Sequence, residues 1–89
     1  MESKLTIYEY GTKEWKLPNG DFHREDGPAI EWANGSGKEW YLNGLLHRED
    51  GPAIVNGDDY KWWYLNGREY TEQEYKYEMR SVKLKLLLH

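Results

Sequence analysis

An octapeptide is written twice in this chain. His23-Arg24-Glu25-Asp26-Gly27-Pro28-Ala29-Ile30 returns as His47-Arg48-Glu49-Asp50-Gly51-Pro52-Ala53-Ile54, 24 residues later. The element before it repeats too. Trp40-Tyr41-Leu42-Asn43-Gly44 comes back as Trp63-Tyr64-Leu65-Asn66-Gly67 at an offset of 23, and Lys16-Leu17-Pro18-Asn19-Gly20 reads as an eroded first copy. A period this short holds one supersecondary unit, too small to bury a hydrophobic face alone, so each unit must stack on its neighbours.

The unit's punctuation says what it is made of. Asn-Gly recurs at Asn19, Asn34, Asn43, Asn56 and Asn66. A tight hairpin turn needs positive φ at both central residues, and Asn and Gly tolerate that best. The segments between are short and rich in Trp, Tyr, Ile and Val, as strands are. The Arg-Glu-Asp-Gly-Pro run supplies the second reversal. Its Gly can take positive φ, and its Pro, lacking an N–H, belongs at a strand start or edge. Strands are expected near 5–10, 13–17, 21–23, 28–33, 38–42, 45–47, 52–55, 60–65 and 68–70.

The C-terminus leaves the pattern. Thr71-Glu72-Gln73-Glu74 has the spacing of a capping box. Tyr75, Met79, Val82 and Leu86 follow at helical spacing. Val82-Lys83-Leu84-Lys85-Leu86 also alternates as a strand would; the helix is the favoured reading. Such a helix would cover the open end of the array. The expected fold is mainly β: an antiparallel hairpin-repeat meander with a C-terminal capping helix. It forms a single domain over 1–89, with repeats over 13–70 and the helix over 71–88.

Composition narrows the function classes. The chain has 89 residues and no Cys, which excludes disulfides and thiolate metal sites. Its formal net charge is -4 and its pI about 5.3. Nucleic-acid binders carry a basic footprint, so no nucleic-acid partner is expected. The N-terminus has no apolar signal region, and no stretch is long and apolar enough to span a bilayer. No membrane association is expected, and the reading is a cytoplasmic protein.

The repeated loop invites a catalytic or metal reading, since His23 lies near Asp26 and His47 near Asp50. A duplicated structural repeat is a poor place for a catalytic constellation, and Asp side chains commonly accept turn N–H groups. Turn structure is therefore the first reading, with ligand recognition and metal ligation as alternatives. No catalytic residue, metal or cofactor is assigned. The aromatic strands offer another candidate. Trp40 and Leu42 share one face and Tyr41 the other, and Trp63, Leu65 and Tyr64 repeat the arrangement. Tyr41 and Tyr64 would then form an exposed platform. Aromatics and Arg are enriched at binding hot spots.

Units of aromatic strand, Asn-Gly, His and Gly resemble MORN-type repeats. Trp-Tyr-Leu-Asn-Gly followed by His-Arg-Glu-Asp-Gly-Pro-Ala is similar to the MORN-like repeat of small uncharacterised bacteriophage proteins. In those a Thr-Glu-Glu-Glu-like helix often closes the array, as Thr71-Glu72-Gln73-Glu74 does here. The resemblance covers roughly residues 13 to 75. It implies a sheet of hairpins serving as a binding scaffold, with no reaction. The expected function is a small non-enzymatic binding module: a phage accessory protein that binds and inhibits a host antiviral-defence protein. Its candidate binding residues are Trp40, Tyr41, Trp63, Tyr64, His47, Arg48, His23 and Arg24. One alternative is sequestration of a nucleotide signal, stacked on Trp or Tyr with Arg24, Arg48 and His47 at its phosphates. Another is a structural or assembly component. The apolar Val82, Leu84, Leu86, Leu87 and Leu88 suggest homo-oligomerisation through the C-terminal segment.

Overall fold

Among the described residues, nine short strands and one α-helix follow each other, with a single 3-10 turn over Ala33–Gly35. The structure is a computed structural model and describes residues 2–35 and 37–87, with side chains as far as residue 84. The strands are β1 (Lys4–Ile7), β2 (Lys13–Lys16), β3 (Ile30–Glu31), β4 (Gly37–Glu39), β5 (Tyr41–Leu42), β6 (Leu45–Leu46), β7 (Ile54–Asn56), β8 (Tyr60–Leu65) and β9 (Arg68–Tyr70). The helix is α1 (Glu72–Leu87). Seven strands form an antiparallel meander in the order β1-β2-β3-β4-β7-β8-β9, and β5-β6 form a separate hairpin. The fold is thus mainly β with one C-terminal helix. Among the described residues, no helix is long and apolar enough to cross a membrane.

Several strands are shorter than their sequence suggests, and each has a local reason. The first ends at Ile7 because Tyr8–Gly11 is a turn, closed by the Gly11 N–H on the Tyr8 carbonyl at 2.9 Å. A strand over 21–23 reduces to one bridge between Phe22 and Lys16. The stretch expected at 38–42 breaks at Trp40, where the chain leaves the meander for the β5-β6 hairpin. The break has a ladder signature. Ile30 pairs with Glu39, yet the neighbouring Ala29 N–H also bonds the Glu39 carbonyl, at 2.8 Å. Likewise Ile54 pairs with Trp62, and the Ala53 N–H bonds the Trp62 carbonyl at 2.8 Å. Ala29 and Ile30 thus both face Glu39, and Ala53 and Ile54 both face Trp62, which is a β-bulge on the strand that carries the alanine, and such a bulge bends its strand.

Hydrogen bonding also sets the true register of the repeat. The Trp15 N–H bonds the Ala29 carbonyl at 2.8 Å, and the Trp40 N–H bonds the Ala53 carbonyl at 2.8 Å. The His23 N–H bonds the Trp15 carbonyl and the His47 N–H the Trp40 carbonyl, each at 3.0 Å. Trp15, not Lys16, therefore holds the tryptophan place of the first unit. The repeating strand reads Lys13-Glu14-Trp15-Lys16-Leu17, Lys38-Glu39-Trp40-Tyr41-Leu42 and Lys61-Trp62-Trp63-Tyr64-Leu65. Pro18 is the extra residue of the first copy. It makes a longer turn closed by the Gly20 N–H on the Leu17 carbonyl, with positive φ at Gly20 alone. In the other two copies Asn43 and Asn66 have φ of 52° and 50°, as the two-residue turn requires.

Each unit is clipped to the next by a set of three bonds. The Asn43 N–H donates to His23 Nδ1 (2.9 Å), the Gly44 N–H to the Phe22 carbonyl (2.9 Å) and the Arg24 N–H to the Tyr41 carbonyl (3.1 Å). One unit on, Asn66 bonds His47 Nδ1 (2.9 Å), Gly67 the Leu46 carbonyl (2.8 Å) and Arg48 the Tyr64 carbonyl (3.2 Å). Both imidazoles thus accept at Nδ1, which places the neutral ring's proton on Nε2.

The molecule is 18 Å in its thinnest dimension. Its buried positions are consequently few and small: Leu17, Ala29, Ile30, Ala53 and Tyr75, with Thr12 and His23 among them. Ala29 and Ala53 are 0% exposed. They sit in a cross-strand row Trp15–Ala29–Trp40–Ala53–Trp63, each between two tryptophan positions of the neighbouring strands.

The helix begins where a third His-Arg-Glu-Asp-Gly loop would. Trp63 pairs with Tyr70, so Tyr70 takes the histidine place and Thr71 the arginine place. Both capping-box bonds form: the Glu74 N–H to Thr71 Oγ1 at 3.1 Å and the Thr71 N–H to Glu74 Oε1 at 2.9 Å. Tyr75, one turn in, docks the helix. Its hydroxyl donates to the Arg48 carbonyl at 2.6 Å and accepts from the Gly51 N–H at 3.2 Å.

Candidate functional site

The repeated loop is an internal lock. The Arg24 guanidinium lies 3.9 Å from the Trp15 ring centre, and Arg48 lies 3.7 Å from that of Trp40. Arg24 Nε donates to Asp26 (3.0 Å), and its Nη1 donates to the Pro28 carbonyl (3.2 Å) and to Glu31 (3.1 Å). Arg48 repeats this with Asp50 (2.9 Å) and the Pro52 carbonyl (3.1 Å). Val55 occupies the Glu31 place of that unit, so the third bond is lost. The loop's glycine has a different reason from the expected one. Gly27 and Gly51 do not have positive φ. A Cβ there would sit 2.9 Å from the Arg24 Cζ and 3.1 Å from the Arg48 Cζ. The guanidinium packs onto the bare Cα, and Gly is what lets it.

Half of the sequence-derived candidates gather beside these locks. Trp40, His47, Arg24 and Arg48 line an open cleft of about 600 Å³ between the two loops. His23 is buried beneath the first unit, and its Nε2 has no hydrogen-bond partner. His47 Nε2 faces Glu49 at 3.0 Å. The arginines are committed to carboxylates, carbonyls and rings, and both histidines to the turn of the next unit. This leaves the loop residues little capacity for a ligand. Among the described residues no group of three or more His, Cys, Asp or Glu is placed to hold a metal ion.

Tyr41 and Tyr64 are half-buried rather than an exposed platform. The Tyr41 ring leans on Phe22 at 5.2 Å, and its hydroxyl donates to Glu39 at 2.9 Å. Burial, aided by that carboxylate, pushes its pKa up to about 12 from 10.0. Burial also raises Tyr75, and the bond to Glu14 raises Tyr8. A group whose folded pKa is raised gives stability that is full below the unfolded value and lost as pH climbs through the folded one. For Tyr41 that window runs from pH 10.0 to about 12. Alkaline titration followed by phenolate absorbance should therefore show a late step. Tyr41→Phe should remove one tyrosine's share of it, and an unchanged late step would contradict the assignment.

The exposed aromatics lie elsewhere. On the sheet face opposite the Trp–Ala row, Tyr60 and Trp62 stack at 5.8 Å and are 59% and 38% exposed. Trp32 is 45% exposed and Tyr10 67%. The Trp32 ring lies over Gly37, where a Cβ would stand 2.9 Å from its Cδ1, and its Nε1 donates to Glu39 at 2.9 Å. Tyr10, Trp32, Gly37, Ile54 and Asn56 enclose a shallow cavity of about 570 Å³. The alternation of Tyr60-Lys61-Trp62 placed both rings on one face. Which face stayed open depended on the long-range pairing.

A third cleft, about 910 Å³, opens between α1 and β8, lined by Trp63, Lys61, Tyr75, Met79, Arg80 and Lys83 among others. Along the helix, Met79 is half-buried while Val82 and Leu84 are exposed. The side chains of Leu86, Leu87 and Leu88 lie outside the described residues. No protein-family model matches this chain, and no curated protein or solved structure matches it either.

Proposed function

We propose that the protein is a small non-enzymatic module that binds another protein through the aromatic face carrying Trp32, Tyr60 and Trp62. The supporting observation is the exposure of these rings on one face of the sheet, beside a cavity lined by Gly37, Ile54 and Asn56. Trp and Tyr on an accessible face dominate binding energy where they enter a partner's pocket. Trp32 is held in place by Glu39, and Tyr60 and Trp62 brace each other, so little side-chain freedom remains to be lost on contact. The resemblance to small bacteriophage proteins makes a host antiviral-defence protein in the cytoplasm of an infected cell the expected target, with inhibition as the outcome.

The test is capture from bacterial lysate with wild-type protein and with a Trp32→Ser/Trp62→Ser variant, each verified to be folded by circular dichroism. The expected result is a defined host protein held by wild type and lost from the variant. Identical capture by both, or no specific capture at all, contradicts the proposal.

A further inference from the structure

The three tryptophans of the Trp–Ala row are chemically equivalent in sequence and unequal in structure. Trp15 is covered by Arg24 and Trp40 by Arg48, each at stacking distance. Thr71 stands in the arginine place of the last unit, because that residue has become the helix N-cap. Among the described residues, no guanidinium or ammonium lies over Trp63, which instead lines the cleft beside α1.

The charges around that ring are also unbalanced. The cleft's carboxylates are already engaged: Glu49 with His47 (3.0 Å), Asp50 with Arg48 (2.9 Å) and Glu72 with Lys76 (3.3 Å). Lys61, Arg80 and Lys83 line the same cleft and have no ion-pair partner among the described residues. They are exposed, on a chain whose formal net charge is -4. A visiting arginine could replace the missing stack, but three unpaired cations would repel it. An anion with a flat aromatic part meets both features at once. Every nucleobase has a flat face that stacks on an aromatic side chain, and phosphate oxygens accept charge-assisted hydrogen bonds from Lys and Arg.

We propose that the cleft between α1 and β8 binds a free nucleotide, its base stacked on Trp63 and its phosphates held by Lys61, Arg80 and Lys83. This site is separate from the protein-binding face, which lies on the other side of the sheet, so each can fail without the other. It also differs from a site built on Arg24, Arg48 and His47, whose groups already bond carboxylates, carbonyls and the next unit's turn within the fold.

Calorimetry on the full chain tests it, with ATP, adenosine, tripolyphosphate and a short oligo(dA) as probes at low salt. ATP is expected to bind. Adenosine and tripolyphosphate, each lacking one half of the recognition, are expected to bind at least about tenfold more weakly. A Lys61→Glu/Arg80→Glu variant, with both changes at exposed positions, should lose more than about tenfold in ATP affinity while its melting temperature stays the same. Trp63→Leu should lose the advantage of ATP over tripolyphosphate, and the charge variant decides the matter if Trp63→Leu fails to fold. The proposal is overturned by no heat with ATP, by tripolyphosphate binding as tightly as ATP, or by a charge variant that binds ATP normally. Oligo(dA) binding more than about tenfold tighter than ATP would equally remove a free nucleotide as the ligand.

Discussion

Ala53→Leu should lower the melting temperature by about 15 °C. Ala53 is 0% exposed; its N–H bonds the Trp62 carbonyl on one side and its carbonyl accepts from the Trp40 N–H on the other. The sheet there has no slack, because the layer is thin and the fully buried methyl group lies between two tryptophan positions of the neighbouring strands. Forcing a longer side chain into a packed site costs about 1–3 kcal/mol, and the upper end applies where the neighbours are large rings fixed by other contacts. For a domain of this size each kcal/mol moves the midpoint by about 4–8 °C. Ala53→Gly is the control. It removes the clash and should cost only about 0.5–1 kcal/mol through chain entropy. Thermal denaturation of both variants checks the pair. A leucine variant as stable as wild type would mean that the alanine row is not the packing constraint described.

The second large effect is expected at His23. Its Nδ1 accepts the Asn43 N–H at 2.9 Å, and the ring is buried. His23→Leu keeps the bulk and deletes the acceptor, stranding a backbone N–H in the junction between units. The bond is part-buried, and a donor left unpaired out of reach of water costs about 1–3 kcal/mol. The expected loss is about 1 kcal/mol, at the low end because the change also removes the buried, unpartnered Nε2, with faster exchange of the Asn43 amide hydrogen. His47→Leu deletes the same acceptor at an exposed bond, and with it the exposed Nε2 bond to Glu49, and water replaces both partners there. Its cost should be under half as large. Equal losses at the two sites would place the effect in histidine bulk rather than in the hydrogen bond.

The repeat, the Asn-Gly turns, the meander and the capping box were all legible in the sequence, because each is a local signal with a local cause. Thr71 and Glu74 are three residues apart and bond each other directly. What escaped was decided over distance. The tryptophan of the first unit was misplaced by one because Pro18 lengthens the turn, and only pairing with Ala29 reveals that Trp15 holds the slot. The repeated Gly27 and Gly51 looked like turn glycines, and the guanidinium resting on their Cα atoms is invisible without coordinates. Alternation correctly separated Tyr41 from Trp40. Tyr41 nonetheless became half-buried, because the strand bends at Trp40 and carries the ring against Phe22. The arginines and histidines were recognisable as chemistry-bearing residues; that their partners lie within the fold was not. The cations at Lys61, Arg80 and Lys83 gather from a strand and a helix far apart in sequence, on a chain that is acidic as a whole.

The three-bond clip between units has a bearing on how such a chain can change over generations. Both junctions use the same donors and acceptors at the same backbone positions, so a unit meets its neighbour through a standard coupling. Duplication or loss of one whole unit would leave every remaining coupling intact, whereas a gain or loss of one or two residues within a strand would break a coupling at once. Length can therefore vary in whole steps while the helix, seated by Tyr75 on whichever loop comes last, continues to close the end.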